Sequence, residues 1–107
     1  MEKEFTPYEQ ALALKELGFD EPCFGVYTVN NRNLFIVTPI KDESFGYLNT
    51  PTFSQAFRWF REPKNGSYNH LDFMYEYLKD DSVTYEEAEL ECLKKLIEIV
   101  KNKKESV

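Results

Sequence analysis

Few residues in this chain have the types and spacing for chemistry. Its one histidine, His70, stands two places before Asp72. If that segment is extended, the two side chains share a face and the carboxylate could orient the imidazole as a general base. Nothing else in the sequence completes such a site, and a surface histidine beside a surface aspartate is the plainer reading. Cys23 and Cys92 lie far apart and form no C-x-x-C pattern. Cys92 falls on an apolar helical arc, where a thiol serves as a small hydrophobe, and Cys23 has no cationic neighbour to lower its pKa. Both are expected to be free thiols. One histidine and two separated cysteines supply no metal-ligand set, and Gly18, Gly25, Gly46 and Gly66 are isolated rather than gathered into a phosphate-cradling loop. No metal, cofactor or catalytic residue is expected, and an enzyme built on His70 and Asp72 is the weakest functional reading.

The remaining constellation is Arg58, Trp59 and Arg61. It lies in the stretch 51–62, PTFSQAFRWFRE, the densest run of aromatic and apolar residues in the chain. Phe53, Ala56, Phe57 and Phe60 recur at i, i+3, i+4 and i+7, the spacing of a short helix with one buried stripe. Trp59 flanks the stripe, Arg58 projects from the opposite face and Arg61 borders the Phe57 side. Trp and Arg dominate protein–protein hot spots, and they also stack on the bases of single-stranded nucleic acid. A structural use competes with both. Glu89 falls inside the apolar arc of the last helix, where a lone carboxylate would be costly, and Arg58 or Arg61 is its natural ion-pair partner.

The elements that must position these residues are legible from local signals. With 107 residues, 16% of them aromatic, a single domain over 1–107 can bury enough area to fold without staples. Residues 1–5 and 102–107 are expected to fray. Thr6-Pro7-Tyr8-Glu9 predicts a helix start with Thr6 as N-cap and Glu9 closing a capping box; Gly18 ends that helix, with Phe19 packing back on Leu14. Residues 23–38 favour strand and are broken by Asn30-Asn31-Arg32-Asn33, a hairpin turn whose asparagines tolerate positive φ. Pro39 ends the second strand, and the polar loop 41–44 leads through Phe45-Gly46-Tyr47 to the central helix, capped by Thr50 or Thr52 and stopped by Pro63 and Gly66. Leu71, Phe73, Tyr75 and Tyr77 alternate with His70, Asp72, Met74 and Glu76, the period of a third strand. Thr84-Tyr85-Glu86-Glu87 opens the last helix with another capping box. Its acidic start and lysine-rich end complement the helix dipole, and Glu91 and Lys95 form an i,i+4 pair.

The expected order is α-β-β-α-β-α: an α+β fold with a three-stranded antiparallel sheet in order 2-1-3 and helices packed on one face. The central helix carries the chain across the sheet, so that strand three lies beside strand one. A net charge of −6 counts against nucleic acid and anionic membranes as partners. The apolar runs are far shorter than the roughly 20 residues needed to span a bilayer. MEKEF at the start lacks the apolar core of a secretory signal, so a cytoplasmic location is expected.

At YEQALALKELGFDEPCFG, PTFSQAFRWFRE and YEEAELECLKKLIEIVK the chain resembles a set of short uncharacterised proteins encoded by tailed phages and by gut bacteria that carry them. The resemblance covers nearly the whole length. It implies a phage-type accessory protein in the host-cell cytoplasm and carries over no activity, cofactor or catalytic residue. Those relatives continue the central helix past RWFRE, whereas here Pro63 follows at once, which leaves the path to Asn69 without a template. The expected function is an interaction module that binds or modulates a host or phage protein, with Arg58, Trp59 and Arg61 as the candidate interface. Single-stranded nucleic-acid binding is the alternative, and homo-oligomerisation is left open.

Overall fold

A computed structural model describes residues 4–37 and 47–105. Its elements are α1 (Tyr8–Glu16), β1 (Gly25–Thr28), β2 (Leu34–Ile36), β3 (Tyr47–Thr50), α2 (Phe53–Arg61), a 3-10 turn (Pro63–Asn65), α3 (Leu71–Leu78) and α4 (Tyr85–Glu105). The fold is α+β, and its strands form one antiparallel sheet in the order β2-β1-β3, as the sequence implies. The chain divides into two compact units, Met1–Ser54 and Gln55–Val107.

In the first unit, α1 ends as expected. Gly18 is left-handed at φ 103°, the Phe19 N–H donates to the Leu14 carbonyl at 3.0 Å and the Gly18 N–H to that of Lys15 at 3.0 Å, which is the Schellman arrangement. The start of α1 differs. Pro7 occupies the N-cap position with no side-chain cap, because Thr6 is fully buried and its hydroxyl is committed to Thr50, 2.7 Å away. The hairpin forms between β1 and β2, with Val26 opposite Phe35. In its turn the left-handed residue is Arg32, at φ 55°, rather than an asparagine. Asn31 instead hydrogen-bonds through its side chain to the Thr28 hydroxyl, and the Arg32 guanidinium lies 4.5 Å from the centre of the Tyr8 ring.

The third strand is not where alternation put it. β3 is Tyr47–Thr50, pairing with β1 through Tyr27 opposite Leu48 and Gly25 opposite Thr50, while residues 71–78 are helix α3. The central helix α2 therefore follows β3 instead of joining the second strand to the third. Leu48 and Thr50 are buried on the face of β3 that meets α1. Phe5 is also buried and bridges Thr52. The expected strand end at Pro39, the loop 41–44 and the passage through Phe45 and Gly46 lie outside the described residues.

The unit boundary falls in the first turn of α2. Phe53, Ala56, Phe57 and Phe60, the expected stripe, are all buried. After Pro63, two left-handed residues, Gly66 at φ 110° and Ser67 at φ 58°, reverse the chain. His70 stands at the N-cap of α3 without a side-chain cap, and the side-chain oxygen of Asn69 just before it accepts the Leu71 N–H at 3.0 Å. This is a local turn of the kind asparagine favours. α3 packs on α4 within the second unit. The α4 cap is as expected: the Thr84 hydroxyl accepts the Glu87 N–H at 3.1 Å and donates to the Glu87 carboxylate at 3.1 Å. Ala88, Cys92, Leu93, Leu96, Ile97 and Val100 form its buried face, and the helix continues through Glu105. Glu91 pairs with Lys94 at 3.4 Å, one residue short of the expected Lys95. No described helix is long and apolar enough to cross a membrane.

Candidate functional site

The candidate trio divides by exposure. Arg58 and Arg61 are exposed, but Trp59 is only 4% exposed, set edge-on against Phe60 with ring centres 5.0 Å apart. A tryptophan so placed cannot offer its face to a nucleic-acid base. Glu89 does not receive the arginine partner expected for it. Burial, and then the neighbouring Glu86 carboxylate, push its pKa up, and among the described residues no guanidinium offsets them. Glu89 is half-buried rather than enclosed, so water supplies the solvation that an ion pair would otherwise have to provide.

The His70 and Asp72 pair does not assemble either. On a helix, residues two apart point to different sides, and Asp72 is exposed while His70 stacks flat on Phe57, ring centres 4.2 Å apart. Its Nδ1 is buried without a hydrogen-bond partner among the described residues. Burial, then the Arg61 charge, hold the imidazole below its ordinary pKa of 6.5. The result is a neutral packing residue whose carbonyl accepts the Cys92 thiol at 3.4 Å. Burial, reinforced by Glu89, pushes Cys92 up to about 12. Burial with Glu21 does the same to Cys23, also to about 12, and thiols so protonated are poor nucleophiles.

What the structure does build around Trp59 is a cleft of about 360 Å³ in the second unit. Trp59, Pro63, Tyr68 and Val100 form its walls, and Lys64, Lys103 and Lys104 line it from exposed positions. The turn that shapes it is locally determined. Pro63 cannot continue α2 as a hydrogen-bonded residue, and the N–H groups of Asn65 and Ser67 return to the Glu62 carbonyl, that of Gly66 to Pro63 and that of Tyr68 to Phe60. Asn65 also donates its side-chain amide to the Trp59 carbonyl at 2.9 Å. Gly66 is required twice over: its φ of 110° suits glycine, and an added Cβ would run into the Tyr68 ring. Tyr68 thus lies under Lys103, whose Nζ is 5.0 Å from the ring centre, a cation–π contact. The Tyr68 hydroxyl is buried and makes no hydrogen bond among the described residues.

The sequence offered Trp59 as a candidate and missed Tyr68, Lys64, Lys103 and Lys104. The lysines of α4 read as dipole partners, and the Pro63 and Gly66 punctuation marked a turn without showing that it folds a tyrosine onto a helix end. A hollow of about 350 Å³ in the first unit contrasts with this cleft, mixing Lys15 with Asp20 and Glu21. Compared with protein-family models, curated proteins and solved structures, the chain matches none.

Proposed function

We propose that the protein is a small interaction module of the phage accessory type, which holds a segment of a host or phage protein and performs no covalent chemistry on it. The observation that carries this reading is the cleft beside Trp59, aromatic and apolar in its walls and lysine-lined, in a chain whose net charge is −6. A local reversal of charge over an apolar hollow favours docking with a complementary partner. Nucleic acid is disfavoured by the overall charge and because Trp59 is buried and Lys103 occupies a face of Tyr68, which removes the stacking platforms such binding uses.

A photo-crosslinking residue placed at Lys64 tests this in bacterial cells, with the same residue at Lys15 in the first unit as control. Adducts to one protein species from position 64, absent from position 15 and lost on Lys103→Glu, are the expected result. Adducts to nucleic acid, or no position-specific adduct, would overturn the proposal.

A further inference from the structure

The sheet of the first unit ends on β2, and among the described residues no strand pairs with its outer side. We propose that a second copy of this chain does. Two β2 strands then run antiparallel about a twofold axis at Phe35 and join the two sheets into one, independently of the cleft beside Trp59. Alternation fixes which backbone groups face outward. The Val37 N–H donates to the Phe24 carbonyl at 2.7 Å and the Thr28 N–H to that of Asn33 at 2.9 Å, and Val26 lies opposite Phe35. Residues 33, 35 and 37 therefore turn their backbone groups toward β1, and those of Leu34 and Ile36 point away from it. Edge strands are ordinarily protected by charge, proline, a bulge or shortness. Here β2 is short, but residues 33–37, NLFIV, carry no charge and no proline, and the pairing with β1 has no bulge. Phe35 and Ile36 remain 50% and 53% exposed.

Self-pairing has one register that uses every outward group. With Phe35 on the axis, Leu34 faces the partner subunit's Ile36 and Ile36 faces the partner subunit's Leu34, each pair exchanging both of its N–H···O=C bonds. Phe35 meets the partner subunit's Phe35 at a non-hydrogen-bonded position, where Cα atoms come within about 4.5 Å and an aromatic pair adds to the contact. A shift of one residue would turn outward groups onto inward ones. A shift of two would set Ile36 opposite Arg32, which is left-handed at φ 55° and lies over the Tyr8 ring, outside the strand. The same chemistry selects a copy over a foreign strand. An uncharged edge has no charge with which to choose among partners, whereas the chain itself presents the matching apolar strand in the matching register. The pairing is isologous and closes at two copies, while β2 laid on the outer edge of β3 would propagate.

Sedimentation equilibrium of the full chain should show the mass rising from one chain towards two between about 1 μM and about 1 mM, the weak range suited to a contact below the standard interface size. Phe35→Glu and Phe35→Lys each set like charges opposite one another across the axis and should weaken self-association at least about tenfold. Mixed in equal amounts, the two variants should associate again, since glutamate then faces lysine. A role of Phe35 within one chain would not produce that rescue. Phe35→Cys should give a disulfide-linked dimer under a mild oxidant, because the expected Cα separation falls in the range a disulfide spans. Tyr47→Cys, on β3 and similarly exposed at 46%, should not. The parent chain, whose Cys23 and Cys92 are buried, is the blank. Should a charged variant fail to fold, the cysteine trapping decides. A parent chain that stays monomeric throughout, a mixture that fails to associate, equal trapping at positions 35 and 47, or filaments in place of dimers would each overturn the inference. If the monomeric parent instead binds an uncharged extended peptide along β2, the edge takes a foreign strand and the second copy is excluded.

Discussion

Replacing Thr50 by valine tests how the first unit closes on itself. The Thr50 hydroxyl donates to the Thr6 carbonyl at 2.8 Å and lies 2.7 Å from the Thr6 hydroxyl. Each hydroxyl has one proton, so the proton in the second contact belongs to Thr6 and Thr50 accepts it. Both residues are fully buried. The two deletions are therefore unequal. Thr50→Val preserves shape but strands the Thr6 proton, costing about 2–3 kcal/mol for a lost bond plus an unsatisfied buried donor. The Thr6 carbonyl keeps the Tyr27 hydroxyl, at 3.1 Å. Thr6→Val leaves Thr50 still donating to that carbonyl and removes only what it accepted, costing about 1 kcal/mol. The double variant has no stranded donor and should fall short of the sum by about 1 kcal/mol or more. Urea unfolding at constant m-value measures all three. Equal costs for the two single variants, or strict additivity, would refute the assigned proton positions.

Four further outcomes are expected. Thr84→Ala should cost about 1 kcal/mol in urea unfolding by removing the cap on Glu87. Gly25→Ala places a Cβ 2.7 Å from the buried Phe5 ring and should cost about 1–3 kcal/mol, partly recovered by Phe5→Leu in the same unfolding assay. His70 has a lowered folded-state pKa, so the unfolded chain takes its proton first; this residue's contribution to stability is full above 6.5 and falls as the pH drops towards the folded value. His70→Gln should abolish that part of the pH dependence of the urea midpoint. Glu89 is shifted the other way for an acid, so Glu89→Gln should raise the midpoint at neutral pH. That gain should vanish as the pH falls below 4.5, where both states bind the proton, and a double-mutant cycle of Glu89 with Arg61 should show no coupling.

The elements read correctly from sequence are those fixed by residues close along the chain. The Gly18 terminus, the Phe53 to Phe60 stripe, the hairpin and the Thr84 cap each depend on a few consecutive positions. The errors come from distant partners. Thr6 has the local signature of a cap, but its hydroxyl is claimed by Thr50, 44 residues away. Tyr47–Thr50 has only four residues, too few for a period to show, and becomes a strand by pairing with β1. Over the eight residues of 71–78 both periods fit. Phe73 and Tyr77 stand four apart as well as on alternate positions, and aromatic content favoured strand. The asparagine at 69, whose side chain holds the Leu71 N–H in a local turn just before the helix, is a signal that alternation does not weigh.

The same division holds for the buried polar atoms of Tyr68 and His70, whose costs differ. Both carry a buried atom without a partner, yet the two atoms differ in kind. A neutral imidazole has one bare nitrogen, and His70 is held neutral by burial and by Arg61. It can therefore turn an acceptor inward, stacked on Phe57, and an under-used acceptor is the cheaper deficit. No second neutral form relieves the Tyr68 hydroxyl. Its proton has no acceptor among the described residues, so the hydroxyl carries the cost of an unmade bond that Tyr68→Phe would remove.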